Sequence, residues 1–242
     1  MAGVRPLGSE LAGYRIEGVE REDAGAAVLR AYDEHEDREV ALHVTGRPPE
    51  AVSTVRFLER ARRIGSVEHP HLLAIYSART LDGHAVAVTQ APPGRRLDTL
   101  LARGRLGPGP AVRVVRQVAS AVDALEEAGA EPPPLTADRI WVDGDGNAYL
   151  DGLDASASVE VAQRAASSSA ALARLLSDMT PRVPGPLDVV LTRAVDGAYL
   201  SAGQLADELG AVETRGVRLR RWVVTAVAVA LAAAAVALGL LL

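Results

Sequence analysis

Several oxygen-bearing side chains lie close together in one turn-rich stretch of the chain. They are the carboxylates and the amide of Asp143, Asp145, Asn147, Asp151 and Asp154. Their spacing follows positions 1, 3, 5, 9 and 12 of an EF-hand loop, which indicates calcium binding as one possible chemistry. However, the sixth position carries alanine instead of glycine, and the last ligand is Asp instead of the bidentate Glu. Calcium binding therefore stands beside the simpler alternative that these residues shape turns.

The same stretch has the sequence of a β-hairpin. Two apolar runs, 140–142 and 148–150, flank the segment 143–147, which reads Asp-Gly-Asp-Gly-Asn. Asp-Gly between two apolar runs is a strong signal for a tight hairpin turn. A run of three prolines, 132–134, precedes the first strand. Two short antiparallel strands are therefore expected to position these side chains.

The composition excludes several kinds of chemistry. The chain has no cysteine and no lysine, so its 26 Lys and Arg positions are all arginine. Disulfides, thiolate ligands, cysteine nucleophiles and lysine Schiff bases are therefore ruled out. With a net charge of −5 and 3% aromatic residues, nucleic-acid binding is not expected. No Gly-x-Ser-x-Gly motif is present, and the serines at 167–169 are expected to begin a helix instead of supplying a hydrolase nucleophile.

The segment 222–242 is apolar, and Thr225 is its one polar residue. At about 1.5 Å per residue it is long enough to cross a hydrocarbon core of about 30 Å. We therefore predict a single transmembrane helix there, with a buried core helix as the alternative. The basic segment 213–221 carries four arginines, which by the positive-inside tendency hold the N-terminal side in the cytoplasm. The chain is thus expected to be tail-anchored in the plasma membrane.

Strands followed by helices are predicted along the chain. Alternation at 14–19, an apolar run at 26–32 and further short segments at 39–44, 72–76 and 85–89 predict five strands. A helix is expected at 51–64, with a buried face formed by Val55, Leu58, Ala61 and Ile64. Further helices are expected at 97–101, 110–128, 167–179, 186–195 and 202–209. This order predicts an α+β protein with a five-stranded N-terminal half and a mainly helical C-terminal half.

Short segments in both halves match one known family. They are the runs Arg30-Ala31-Tyr32-Asp33, Val40-Ala41-Leu42-His43-Val44, His69-Pro70-His71 and Ser201-Ala202-Gly203-Gln204-Leu205. As a set they resemble the bacterial Hanks-type (eukaryotic-like) Ser/Thr protein kinases, over about residues 11–212. The resemblance implies a protein-kinase-like two-lobe fold, with an N-terminal tail at 1–10, an N-lobe at 11–91 and a reduced C-lobe at 92–212.

The resemblance also indicates where the family carries its catalytic groups, and none of these groups is kept. The strand lysine, helix glutamate, catalytic-loop aspartate, metal-binding asparagine and metal-binding aspartate are replaced by His43, Arg60, Pro134, Arg139 and Gly152. Proline and glycine carry no general base and no metal ligand on their side chains. Asp151 lies one residue before Gly152, but a shift of one residue reverses a strand side chain, so we expect it to point away. His43 by itself is better explained as a half-buried strand histidine.

The nucleotide pocket is expected to be degenerate as well. The three phosphate-loop glycines are replaced by Arg21, Asp23 and Ala26, and the adenine is expected to be surrounded by Val28, Ala41, Thr89 and Trp141. An acidic side chain over a triphosphate would repel it. The large indole either fills the adenine space or only packs the hairpin. By contrast, the positions that stack through the core of an active kinase are all apolar, namely Ile64, Ile75, Pro132 and Leu153.

These replacements predict a catalytically inactive, membrane-tethered pseudokinase that acts as a scaffold or regulatory binding module. Neither ATP nor a metal is expected as a cofactor. The resemblance suggests a protein partner that is a Ser/Thr kinase, its substrate or a phosphothreonine-reading protein. The arginine clusters at 60–63 and 95–96 are either solvated faces or contact sites for a phosphorylated or acidic partner. The alternative function is a residual nucleotide-binding switch or a very weak Ser/Thr protein kinase.

Overall fold

Alternating apolar residues in the first part of the chain form an antiparallel sheet. The computed structural model describes residues 9–23, 26–45, 51–153, 167–180 and 185–212. The strands of this sheet are β1 Glu10–Leu11, β2 Tyr14–Asp23, β3 Ala26–Asp33, β4 Arg38–Thr45, β5 Ile75–Leu81 and β6 His84–Gln90. They lie in the spatial order β1-β2-β3-β4-β6-β5, so the N-terminal sheet has six strands and the prediction of five was wrong.

The differences from the predicted sheet have local causes. In β1, Leu11 pairs with Tyr14 across a turn, and two residues are too few to show an alternating pattern. β5 begins at Ile75 and not at residue 72. Leu72 lies outside β5 because the backbone here pairs with the C-terminal half, where the Leu73 amide donates to the Leu150 carbonyl at 3.0 Å.

The two faces of the sheet are buried in different ways. On one face, Leu42 and Val88 belong to a cluster made by residues of the strands themselves. On the other face, Ala85 and Ala87 join a larger cluster with helix α1, Val52–Gly65. Small side chains on this face let the helix pack closely against the strands.

The buried face of α1 is rotated relative to the prediction. Phe57, Leu58, Ala61 and Ile64 are buried, whereas Val55 is 44% exposed. At 3.6 residues per turn, Val55 lies about 120° around the helix from the centre of the buried face. The prediction was therefore right for Leu58, Ala61 and Ile64 and wrong for Val55.

The C-terminal half is mainly helical, as predicted. Its helices are α2 Leu97–Leu101, α3 Pro108–Glu127, α4 Ser168–Met179, α5 Gly185–Val195 and α6 at 202–212. α3 lies at the centre, and its Val115, Val118 and Val122 have no exposed surface. The predicted helix start in the serine run is confirmed, because the Ser167 side chain accepts a hydrogen bond from the Ala170 amide at 3.2 Å.

A second, three-stranded sheet connects the two halves. It consists of β7 Arg95–Arg96, β8 Ile140–Val142 and β9 Ala148–Leu150, in that spatial order, so the predicted hairpin is confirmed and gains one strand. The chain enters this sheet at Gly94, which has a φ of +75°. A Cβ atom at Gly94 would lie 2.1 Å from the Val142 carbonyl oxygen, so this close approach requires glycine.

The predicted membrane span lies outside the described residues, as does the basic segment before it. Both segments, 213–221 and 222–242, follow residue 212, the last residue that the structure describes. No helix in the described ranges has both the length and the apolar character needed to cross a membrane.

Candidate functional site

A row of side chains crosses the first sheet on the face next to the C-terminal half. Arg21 pairs with Val28, Val28 with His43, and His43 with Ala87, on four neighbouring strands. Paired residues on adjacent strands share one face, so all four side chains lie on the same side of the sheet. His43 is 1% exposed, and both Arg21 and His43 reach residues of the C-terminal half. This row therefore forms the wall that the N-terminal sheet contributes to a cleft between the two lobes.

Asp151 lies opposite His43 in this cleft. Its Oδ1 atom is 3.9 Å from His43 Nε2 and accepts a hydrogen bond from the Leu153 amide at 3.0 Å. The Asp151 amide donates to the Arg139 carbonyl at 2.8 Å, which continues the β8–β9 pairing by one residue. Alternation along this extended ladder places Asp151 on the same face as Trp141. The expectation that Asp151 points away from the site was therefore wrong.

Gly152 lies against the helix instead of in the cleft. A Cβ atom at Gly152 would lie 3.0 Å from Ile64 Cγ2 and 3.3 Å from Leu72 Cδ1. The adjoining Leu153 is 1% exposed and belongs to the same apolar cluster as Ile64. A carboxylate at position 152 would thus meet aliphatic side chains.

Arg139 is a buried cation at the base of the cleft. It is 6% exposed, and its Nη1 atom donates a hydrogen bond to the Leu153 carbonyl. Its Nε atom lies 3.7 Å from Asp138 Oδ2, and the same oxygen lies 3.5 Å from Arg21 Nη1 in the upper lobe. One carboxylate thus joins an arginine from each lobe across the mouth of the cleft.

A second connection between the lobes runs from α1 to the proline run. Arg60 is half-buried, and its Nη2 atom donates to the Glu131 carbonyl at 3.3 Å. Pro133 is buried, while Pro132 and Pro134 are half-buried, and the Pro134 carbonyl accepts from the Thr136 amide at 3.1 Å. The described contacts of the proline run are therefore packing and backbone hydrogen bonds beneath α1.

The upper part of the cleft is lined by small side chains. Val28, Ala41 and Thr89 are 8%, 2% and 2% exposed, and Ala26 is also buried. The Thr89 hydroxyl donates to the Ala41 carbonyl at 3.4 Å, so it is used inside the sheet. Asp23 ends β2 opposite Ala26.

Trp141 lies in the middle of the small sheet. It is half-buried and pairs with Arg96 on one side and Tyr149 on the other. Arg96 forms a two-pronged ion pair with Asp98, at 3.0 and 2.7 Å, so this arginine is engaged within the chain. The plug role of Trp141 stays a prediction beside its packing role.

The acidic hairpin is organised around Asp143. Its carboxylate accepts hydrogen bonds from the Asp145 amide at 2.9 Å, from the Asn147 amide at 2.8 Å and side chain at 2.9 Å, and from the Tyr149 hydroxyl at 3.0 Å. The bonds from Asn147 are the main reason why the pKa of Asp143 lies below its usual value. Asp151 points into the cleft instead of toward this turn. Asp154, the last of the five residues with the EF-hand spacing, lies outside the described residues, and the hydrogen bonds of Asp143 favour turn formation in the described part of the hairpin.

The fold is that of a protein kinase domain. The crystal structure of the Mycobacterium tuberculosis PknI kinase domain matches with a TM-score of 0.66, covering 83% of this chain and 96% of that domain. The sequence identity of this pair is 20%, so the match shows the fold alone. A second crystal structure of the PknI kinase domain matches with a TM-score of 0.64 and 21% identity.

Sequence similarity leads to the same family. The M. tuberculosis serine/threonine-protein kinase PknE is 31% identical over 146 residues, which are 59% of this chain and 26% of PknE. The chain is a relative of the bacterial Hanks-type Ser/Thr protein kinases. PknD of M. tuberculosis is 28% identical over 150 residues, which cover 61% of this chain and 23% of PknD. The match thus spans about a quarter of the length of these curated relatives, and no family model matches the chain.

The structure brings some of the predicted site residues into the cleft and leaves others outside it. His43 and Arg139 line it, with Asp151 opposite His43, whereas Gly152 turns to α1 and Arg60 bonds to the segment before the prolines. The link from Arg21 to Asp138 was not predicted. Its two residues are far apart in sequence, so no local pattern could indicate it.

The residues present do not fit the magnesium nucleotide that kinases of this family use. Arg139 puts a fixed positive charge at the position where the resemblance predicts the family's neutral metal-binding asparagine, and a cation there repels a metal ion. Asp138 is shared by two arginines, and Asp151 Oδ1 accepts from the Leu153 amide and lies close to His43. The cleft therefore contains charges arranged for one another instead of for phosphates and a metal.

Proposed function

We propose that the chain is a catalytically inactive pseudokinase that acts as a scaffold or regulatory binding module. The buried guanidinium of Arg139, held by the Leu153 carbonyl and close to Asp138, is the observation that carries this proposal. It supplies positive charge from within the chain at the place where the family binds a metal. The Pro134 side chain cannot accept a proton from a substrate hydroxyl, so the general base is missing as well.

The lobes in this proposal are held together without a nucleotide. Arg21 and Arg139 share Asp138, and Arg60 bonds to the Glu131 carbonyl, so both ends of the cleft are bridged by protein groups. A scaffold benefits from such bridges because a rigid surface loses less conformational entropy when a partner binds.

The second candidate function is a nucleotide-binding switch. The observation in its favour is that Asp151 and His43 face each other, which leaves one carboxylate and one nitrogen base in the cleft. A catalytic kinase site uses more charged groups than this pair to stabilise the transferred phosphoryl group. This candidate therefore binds a nucleotide without transferring its phosphate.

Ligand binding and phosphotransfer distinguish these candidates. The full chain, purified in detergent micelles, is heated with and without millimolar Mg-ATP, and incubated with labelled ATP and a general kinase substrate. We expect no rise in melting temperature and no phosphotransfer. A ligand at 100 times its Kd would stabilise the native state by about 2.7 kcal/mol, which such a melting curve detects. A clear rise without phosphotransfer supports the switch, whereas Mg-dependent phosphotransfer overturns both candidates and supports the remaining alternative, a very weak Ser/Thr protein kinase.

We also propose a membrane tether and a protein partner. The segment 222–242 would span the plasma membrane once, and the basic segment 213–221 would keep the kinase-like domain in the cytoplasm. The partner would be a Ser/Thr kinase, its substrate or a phosphothreonine-reading protein. Alkaline extraction of membranes tests the tether, with Leu231→Asp/Val236→Asp as the variant and Leu200→Asp, on an exposed surface, as the control. Release of the unmodified chain by alkali contradicts the tether.

A further inference from the structure

Helices α3 and α6 approach each other closely through pairs of one glycine and one charged residue. A Cβ atom at Gly203 would lie 2.1 Å from Asp123 Oδ2, and one at Gly210 would lie 2.9 Å from Arg116 Cζ. Arg116 and Asp123 are seven residues apart on α3, and Gly203 and Gly210 are seven residues apart on α6. The earlier residue of α3 lies beside the later residue of α6, so the two helices run antiparallel. The glycines of α6 thus make room for the charged side chains of α3.

The two charged residues match the direction of α6. Asp123 lies beside Gly203 near the first turn, where the helix dipole favours an anion, and Arg116 lies beside Gly210 near the last turn, where it favours a cation. This complementarity accounts for the helix contact. It leaves one atom unexplained, because Asp123 Oδ1 is buried and has no hydrogen-bond partner in the described part of the chain.

A groove of about 680 Å³ lies over this contact. Arg113 and Arg116 line one end of it and Asp123 lines the other, while Asp207, four residues after Gly203 and three before Gly210 on α6, lies between the two. By the rise of about 1.5 Å per residue, the step from Arg116 to Asp123 along α3 covers about 10 Å. The groove therefore has a basic end and an acidic end that are about 10 Å apart.

The chemistry of the lining indicates the kind of ligand. Small-molecule pockets are mostly apolar, whereas here the side chains in the groove are nearly all polar or charged. Arg113 Nη1 donates to the Asp145 carbonyl at 3.3 Å, which ties the basic end to the β8–β9 hairpin. The Asp123 carboxylate supplies the negative charge at the acidic end.

We propose that this groove binds an extended peptide segment of a protein partner that carries one basic and one acidic side chain about 10 Å apart. The basic side chain lies against Asp123, within reach of Asp207 in the middle of the groove, and the acidic side chain lies against Arg113 and Arg116. In a polyproline II segment, residues i and i+3 lie on the same side at a separation of about 9.3 Å, which fits this spacing. The inference rests on the proposed binding function and names the partner's chemistry.

The test uses the full chain in detergent micelles and a fluorescein-labelled peptide, Pro-Arg-Pro-Pro-Glu-Pro with blocked ends. Fluorescence anisotropy is expected to show saturable binding that weakens with added salt. The matched peptides Pro-Gln-Pro-Pro-Gln-Pro and Pro-Arg-Pro-Pro-Arg-Pro are expected to bind much more weakly, because each loses the complementarity at one or both ends.

Charge reversal at an exposed groove residue sharpens the test without disturbing the core. Asp207→Arg is expected to weaken binding of the Arg/Glu peptide about tenfold, because it places like charges together. Asp196→Arg reverses an exposed carboxylate at the end of α5, and is expected to leave the affinity unchanged. Equal loss in both variants, equal binding of all three peptides, or no binding of the Arg/Glu peptide overturns the proposal.

The result is separable from that of the proposed function. Absence of peptide binding together with absence of Mg-ATP binding removes the groove but leaves the pseudokinase proposal in place. Mg-dependent phosphotransfer together with charge-selective peptide binding removes the inactive pseudokinase and leaves the groove as a docking site.

Discussion

The cleft between the lobes and the groove between α3 and α6 are both lined by arginines and aspartates, which they use in different ways. In the cleft, Arg21 and Arg139 share Asp138, so the charges satisfy one another inside the chain. In the groove, Asp123 Oδ1 is buried without a hydrogen-bond partner among the described residues. The charges of the cleft thus have partners within the chain, whereas the groove keeps its basic and acidic ends apart. This difference supports the proposal that the kinase-like cleft is structural and that a partner binds on another surface.

The largest expected effect comes from restoring the family's aspartate in the cleft segment. Gly152→Asp would push a carboxylate against Ile64 and Leu72, which lie 3.0 and 3.3 Å from the position of a Cβ atom. We expect a loss of about 3–5 kcal/mol in the free energy of unfolding, from overpacking and from burial of a carboxylate. Urea unfolding of the full chain in micelles, followed by tryptophan fluorescence, measures this loss.

Gly152→Ala separates the two causes in that variant. The alanine adds the Cβ atom without the charge and is expected to lose about 1–2 kcal/mol. A stable Gly152→Asp variant that gains Mg-dependent ATP binding would mean that position 152 faces the cleft, and the contrast between cleft and groove would then be lost.

Removal of the buried cation has the next largest expected effect. Arg139→Leu leaves the Leu153 carbonyl without this donor and Asp138 without one of its two arginines. A loss of about 2–3 kcal/mol in the free energy of unfolding is expected, since the hydrogen bond involves a charged donor in a buried place. Arg139→Lys keeps the charge but not the planar guanidinium, and its stability should be intermediate. Equal stability of Arg139→Leu and the parent chain would mean that Arg139 does not hold the cleft together.

The contact between α3 and α6 is expected to show a smaller, coupled effect. Gly203→Ala forces Asp123 Oδ2 away from a Cβ atom that would otherwise lie 2.1 Å from it, at an expected loss of about 1–2 kcal/mol. In a double-mutant cycle with Asp123→Ser, the shorter side chain should relieve much of this loss. Simple additivity of the two substitutions would show that the close approach does not depend on this carboxylate.

The sequence predicts the elements of the fold better than the direction of individual side chains. The hairpin at 140–150 and the helix start at Ser167 follow from local turn and capping chemistry, so both were predicted correctly. β1 was missed because Leu11 finds its partner through a tight turn and not through a periodic pattern. Val55 was assigned to the buried face of α1 because it is apolar and lies three residues before Leu58. Apolar side chains also occur on exposed helix faces, and Val55 is 44% exposed.

The site was harder to predict than the fold, because its geometry depends on contacts between distant segments. The family resemblance predicts that Gly152 occupies the metal-binding position of the cleft. In the structure the β8–β9 pairing continues through the Asp151 amide, and Asp151 faces His43 instead. The apolar stack was predicted from residue type, and Ile64 and Leu153 are indeed buried, but Pro132 is half-buried while its neighbour Pro133 is buried. One residue of register decides which side chain faces a site, and local sequence does not fix that register.

The smallest expected effect concerns the bridge between the lobes at the mouth of the cleft. Arg21 Nη1 lies 3.5 Å from Asp138 Oδ2, and the Asp138 side chain is 41% exposed, so solvent screens this pair. A double-mutant cycle with Arg21→Gln and Asp138→Asn should give a coupling of about 0.5 kcal/mol that decreases with added salt. A coupling of several kcal/mol would identify this bridge, instead of the buried Arg139, as the main connection within the cleft. Because Asp138 also lies 3.7 Å from Arg139 Nε, repeating the cycle in Arg139→Lys tests whether the two arginines compete for one carboxylate.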